Sequence, residues 1–438
     1  GISGAALAQL ACDELRAEGK IPIADNPLPP SGGSRLGFDT LPRGTHHPAK
    51  AKAVIQFFMN GGPSQMDLFE PKELLDKRHG EDYFNEIAED ISSPQQAGGL
   101  LRSPFKFKQH GESGIPMSQL WQHLPGVADE LCMIHSLCET NVAHGAACMK
   151  LHTGDEAQVR PSMGAWMSYG LGCESDNLPA FVVLNGGLVP PGGQDCFGSG
   201  FLPVRHQASR FRPDEQGLDC VQPLVPDEQQ SRMLETMQFL DAAYLERVQG
   251  DSGVESAIRN HELAFRMQSA VPEAVDMSDE SEECLALYGI DNGSTKVAGE
   301  RLLAARRMVE RGVRFVQIYS GGMENQRSWD GHNDIKGNHS QFAGETDKPV
   351  AALLTDLAQR GLLEETLIIW GGEFGRLPVA QKASKPGRDH NPHAFTTWFA
   401  GGGIKGGVSY GETDEIGHKA VINKVTVNDL HATILHLL

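Results

Sequence analysis

Three short apolar runs in this 438-residue chain each stop abruptly at a glycine turn followed by polar residues. Ala53 to Asn60 reads AVIQFFMN and stops at Gly61-Gly62-Pro63-Ser64. Val313 to Tyr319 stops at Ser320-Gly321-Gly322, and Thr366 to Trp370 at Gly371-Gly372-Glu373. Runs this short, apolar on both faces, predict buried strands rather than helices. Helical periodicity precedes two of them directly, over 298–311 (closed by Gly312) and over Val350 to Leu362. Helix, turn and buried strand in repetition predict an α/β fold with a mainly parallel central sheet flanked by helices. In such sheets ligands bind outside the carboxyl ends of the strands. Asn60, the residues after Tyr319, and Glu373 are therefore expected at one edge.

Leu131 to Leu137 and Phe181 to Leu184 are further strand candidates, the second ended by Asn185-Gly186-Gly187. A helix is expected over 141–153 before Gly154, and another over 231–268, where Leu234, Met237, Leu240 and Leu245 can share a face. Pro63 suits the first turn of a helix. Residues 1–50 read as an export-signal remnant, GISGAALAQLA, followed by a Pro/Gly-rich extended arm; 51–438 reads as one domain with a loop-rich insertion at 186–230.

Two segments concentrate the chemistry. Trp329, Asp330, His332, Asp334 and His339 follow one strand; Glu373, Arg376, Arg388, Asp389, His390 and His393 follow another. Carboxylates mixed with imidazoles suit a divalent metal, zinc or manganese ahead of calcium. A metal polarises an oxygen, and Arg or His neutralises developing charge. Hydrogen bonding within long loops is the plainer use of Asp330 and His332, and an ion pair with Glu373 is the plainer use of Arg376. Gly61, Gly62 and Ser64 lack the spacing of a nucleotide-binding loop. His135, His144 and His152 cluster about the 141–153 helix and equally suit a packing face. The 38 Lys and Arg against 57 Asp and Glu leave a charge of −19, which argues against nucleic acid as a partner. No apolar run reaches 18 residues, so no membrane-spanning helix is expected. None of the eight Cys forms a C-x-x-C pair, so a zinc ribbon is not expected; disulfides among Cys173, Cys196 and Cys220 would follow from export.

The segments FFMNGGPSQMDLF (57–69), LHTG (151–154), PSMGAW (161–166), WDGH (329–332), GGEFGR (371–376), GRDH (387–390), and AGGGIKGG with YGETDE within 400–415 together resemble domain-of-unknown-function family 1501. That bacterial family is sulfatase-like, is placed in the alkaline phosphatase superfamily, and often carries a twin-arginine export signal. The resemblance implies an alkaline-phosphatase-like fold, an exported, periplasmic location, and a sulfated or phosphorylated small molecule or glycan as partner. It sets Asn60 where the superfamily has a metal-binding Asp. Asp330 and His332 resemble its Asp and His ligands, Glu373 stands in the next metal motif with Phe374 beside it, and His390 or His393 resembles the final His ligand. The nucleophile slot before Thr153-Gly154 falls on His144, with no Ser, Thr or Cys there. The implied activity is a metal-dependent hydrolase of sulfate or phosphate esters, degenerate relative to active members, with His144, Glu373 and Arg376 as catalytic residues. The alternatives are a non-catalytic binding or assembly protein with a relic cleft, and a hydrolase of another bond using water held by Glu373, His390 and one metal.

Overall fold

The structure, a computed structural model, describes residues 42–45, 48–184, 189–211, 225–247, 252–322 and 327–438. Its centre is an eight-stranded sheet. In chain order the strands are β1 (Ala53–Met59), β2 (Leu131–Leu137), β3 (Phe181–Leu184), β4 (Ser209–Phe211), β5 (Phe315–Ser320), β6 (Thr366–Gly371), β7 (Phe395–Ala400) and β8 (Val408–Tyr410). Across the sheet they run β8-β2-β7-β6-β1-β5-β3-β4. All neighbours are parallel except β7, which is antiparallel to both β6 and β2. The fold is thus α/β with a mainly parallel sheet, as expected.

β1 lies at the middle and all seven of its residues are buried. Its side chains alternate between two cores. Ile55, Phe57 and Met59 pack with α5 (Lys296–Glu310) and α6 (Ile335–Gln359), through Leu302, Leu303, Phe342 and Leu354. Val54 and Phe58 pack with α1 (His144–Thr153), α2 (Met163–Leu171) and α7 (Val427–Leu437), through Leu151, Met167, Leu430 and Ile434. α3 (Asp227–Arg247) and α4 (Ser252–Val275) complete the main helices. Burial of aliphatic and aromatic side chains on both sheet faces, at roughly 25 cal/mol per Å² of apolar surface, is what commits these strands to the interior.

Register carries the strand ends to one place. Met59 of β1 is level with Ser320 of β5, and Phe58 with Gly371 of β6.

Several local expectations need correction. The helix expected from Val350 begins at Ile335 and runs 25 residues, through Pro349. Gly337, Gly344 and Pro349 weaken the helical signal of its first half, while the Asp334 side chain, accepting from the Gly337 N–H, caps it. α3 starts at Asp227, inside the stretch expected to be irregular, and its Met237 and Leu240 are exposed rather than packed. Pro63 precedes the Ser64 cap of the short helix Gln65–Leu68 rather than entering its first turn. β7 was not anticipated, because it is entered from a loop and the helix–strand pattern does not flag it. Cys173 and Cys196 carry free thiols. Cys12, Cys220, the Asn185-Gly186-Gly187 turn and residues 1–41 lie outside the described residues. Among the described residues no helix is long and apolar enough to cross a membrane.

Candidate metal centre

The loop after β5 reaches the end of β1 by main-chain bonds: the Asn60 N–H donates to Ser320 O at 3.0 Å, and the Trp329 N–H to Asn60 O at 2.8 Å. Gly61 makes the approach feasible. Its φ is +105°, and a Cβ there would lie 2.4 Å from the Asp330 nitrogen. On the other side, a Cβ on Gly387 would lie 2.0 Å from His332 O. The segment Asp330 to His332 is therefore clamped between two glycine backbones. His390 comes from a two-residue strand paired with Gly375–Arg376, and His144 is the first residue of α1.

These four segments bring His144, Asp330, His332 and His390 together, with one ligand atom from each lying within 4.8 Å of all the others. Asp330 Oδ1 is 3.1 Å from His332 Nε2 and 3.3 Å from His390 Nε2; Oδ2 is 3.5 Å from His144 Nε2. The two nitrogens His332 Nε2 and His390 Nε2 are 2.8 Å apart. Each imidazole is held from behind through Nδ1. His144 Nδ1 donates to Glu373 Oε1 at 2.6 Å, His390 Nδ1 donates to Val142 O at 2.9 Å, and His332 Nδ1 donates to Gln381 Oε1. A neutral imidazole that donates at Nδ1 has only a lone pair at Nε2. With all three rings neutral, three lone pairs and a carboxylate face a common point, an arrangement stabilised by a cation and unfavourable without one. His144 Nε2, Glu373 Oε2 and Asn60 Oδ1 are also buried without a hydrogen-bond partner. The donor set fits a divalent metal: His and Asp ligands with Nδ1 committed to outer partners.

Electrostatics follow from the same contacts. Burial opposes ionisation of Asp330, but the Arg376 guanidinium and the three imidazoles outweigh it and hold the carboxyl well below the usual range. Burial also disfavours a charged His144, yet Asp330 and Glu373 outweigh it and raise its pKa to about 9 in the metal-free cluster. His390 is pushed down to about 4, chiefly by burial. The rim is open on one side: His332 is 29% exposed, against 5% for His144.

The remaining candidates are placed differently from the sequence expectation. Glu373, expected as a ligand and catalytic group, stands behind His144, where its Oε1 also accepts the Gly61 N–H at 2.8 Å. Arg376, expected to be catalytic, is fully buried and spent on structure: it donates to Asp330 at 2.6 Å, to Gly62 O at 2.8 Å, to Arg388 O at 3.0 Å and to Gly61 O. Asn60, expected as a ligand, donates from Nδ2 to Gly321 O at 2.8 Å. His393, also expected as a ligand, is engaged elsewhere: its Nε2 is 2.9 Å from Asp90 Oδ1, whose other oxygen is 2.9 Å from His418 Nε2. His144, expected in the nucleophile slot, turns its Nε2 toward the cluster. His339 accepts the Ser64 N–H, and His152 accepts from Gln317, so both are core groups. The Ser64 hydroxyl donates to Asp67, which pairs with Arg388 at 2.7 Å, all buried. Sequence reasoning missed Gln381 and the Val142 carbonyl, and nothing in their spacing marks them.

Among solved structures, Ps i-CgsB in complex with k-i-k-neocarrahexaose aligns at 12% identity over 88% of this chain and 71% of that one, with a TM-score of 0.36. PsFucS1 sulfatase from Pseudoalteromonas sp. aligns at 12% over 88% and 67%, with a TM-score of 0.36. Alkaline phosphatase from the Antarctic bacterium TAB5 aligns at 11% over 84% and 97%, with a TM-score of 0.32. Likeness at these scores carries no argument about activity. No curated protein matches the chain. The family described as "Protein of unknown function (DUF1501)" matches residues 51–438, and the chain belongs to that family.

Proposed function

We propose that this protein is a metal-dependent hydrolase with a mononuclear centre on His144, His332, His390 and Asp330, attacking its substrate with water rather than with a side chain. The observation that carries this reading is the convergence of three imidazole Nε2 atoms, each with its Nδ1 engaged elsewhere, on the Asp330 carboxylate. A divalent ion held there supplies a Lewis acid and lowers the pKa of bound water. The chain's own residues do the rest. Glu373 fixes the His144 ring, Arg376 fixes Asp330, and Phe374, whose ring centroid is 4.6 Å from that of His390, forms an apolar wall beside the ligands. No Ser, Thr or Cys stands in the nucleophile slot, so a covalent ester intermediate is not part of the reading. A sulfate or phosphate ester, free or on a glycan, is the proposed substrate; it rests on the placement of family 1501 beside the sulfatases and alkaline phosphatases. Export to the periplasm is proposed on the N-terminal residues and on the family resemblance.

The test is metal content of protein purified without chelator, with hydrolysis of aryl sulfate, phosphate and carboxylate esters measured beside it. The expected result is about one ion per chain, lost in His332→Ala together with hydrolysis. Metal-free protein that hydrolyses at the full rate refutes the proposal. A second reading, a binding or assembly protein with a relic cleft, is favoured by the commitment of Asp330 Oδ1 to Arg376. A loaded but inert protein would select it.

A further inference from the structure

His332 is the most exposed of the four clustered side chains, and it sits on a loop rather than on a helix or a sheet strand. Whether it presents a lone pair or a proton to the cluster depends on what its far nitrogen meets. Gln381 meets it. The residue is buried, and its backbone is locked to Gly387 in both directions, with N–H to O distances of 2.9 and 3.3 Å. Its amide oxygen accepts the His332 Nδ1 proton, while its amide nitrogen donates to Gln96 Oε1 at 2.6 Å. Gln96 is in turn anchored by its own carbonyl, which accepts the Lys382 N–H at 2.7 Å. The donation to Gln96 makes the orientation of the Gln381 amide matter. Turned over, the amide would present N–H to His332 Nδ1, leave the imidazole proton on Nε2, and aim it at His390. The other polar group facing His332 Nδ1, Asp389 Oδ1, is 3.9 Å away and already accepts the His390 N–H at 2.9 Å.

We infer that Gln381 is a positioning residue for the metal centre, setting the ligating tautomer of His332 through a relay that ends on Gln96. The inference rests on the metal-centre reading. Removing a partner of this kind weakens metal affinity by about 10–100-fold. Gln381→Leu is expected to fall in that range by chelator competition with zinc. Gln381→Glu keeps an acceptor on Nδ1 and is expected to retain or exceed the wild-type affinity. Gln96→Leu, on an exposed side chain, removes only the amide's anchor and covers the case in which the buried variant does not fold; a several-fold loss is expected. The tautomer is read independently by long-range ¹H–¹⁵N NMR of the metal-loaded protein, with the His332 proton on Nδ1. Wild-type affinity in Gln381→Leu and Gln96→Leu, while His332→Ala loses the metal, overturns the positioning role and leaves the centre standing. Retention of metal by His332→Ala overturns the centre itself, and the inference with it.

Discussion

Replacing Glu373 with Gln should weaken metal binding by an amount that grows with pH. Glu373 Oε1 takes the His144 Nδ1 proton at 2.6 Å and the Gly61 N–H at 2.8 Å. Loss of a carboxylate that orients a ligand lowers affinity about 10–100-fold, or about 1.4–2.7 kcal/mol. The same carboxylate has an opposite effect on the metal-free protein. Although burial pulls the other way, Glu373 and Asp330 hold the His144 pKa at about 9, up from 6.5. Metal needs the neutral ring. At pH 7, two pH units below that value, about one metal-free molecule in a hundred offers it, which costs the wild type about 2.7 kcal/mol of apparent affinity. The variant has one carboxylate fewer beside His144 and is less protonated. At pH 7 the two effects oppose, and the proteins should differ by less than about tenfold. At pH 9 the proton no longer competes strongly, and the full 10–100-fold difference, roughly the range for such partners, should appear. Competition with a chromophoric chelator at pH 7, 8 and 9 measures this. A ratio that is constant, or that shrinks as pH rises, refutes the reasoning.

The metal-free protein should lose stability on both sides of neutrality. A raised His144 pKa stabilises fully below 6.5, and that contribution disappears as pH rises through about 9, so the metal-free melting temperature should fall over that window, and by less in Glu373→Gln. His152 and His339 are pushed down to about 3 and His390 to about 4, chiefly by burial; the unfolded chain takes up these protons first, so stability falls as pH drops from about 6.5 toward those values. Each group contributes up to about 1.4 kcal/mol per pH unit, and urea titrations at pH 7, 6 and 5 should show the trend steepening. Arg376→Met removes the partner of Asp330 and the donor to three backbone carbonyls; a loss of about 3–5 kcal/mol in urea unfolding is expected, and a loss under 1 kcal/mol, roughly the value of an exposed pair, would contradict the buttress role.

Much of the architecture was legible because buried parallel strands announce themselves. AVIQFFM and TLIIW are too short for helices and too apolar for surface, and their glycine ends told where the chain turns. Convergence at the carboxyl edge followed from the parallel order, and Asp330, His332 and His390 do meet. The individual assignments were harder to read, because they depend on direction rather than position. Glu373 lies at the expected strand end, yet its oxygen points at an imidazole nitrogen instead of the cluster. Arg376 has the residue type of an anion contact, but the carbonyls of Gly61 and Gly62 surround it once the turn closes. His393 is three residues from His390, and the chain between them is enough to send it to Asp90. The overlooked α7 had a readable signal: Thr426 and Asp429 form a reciprocal cap at its start.

The four clustered side chains come from positions 144, 330, 332 and 390; Asp330 and His332 are neighbours in the chain, and His144 and His390 reach them only through the fold built on β1, β5 and β6. A fragment that ends before His390 lacks a donor, and one that begins after His144 lacks another. Ion uptake would then be a late event in maturation, and a bound ion would certify that the segments around positions 144, 330 and 390 had come together.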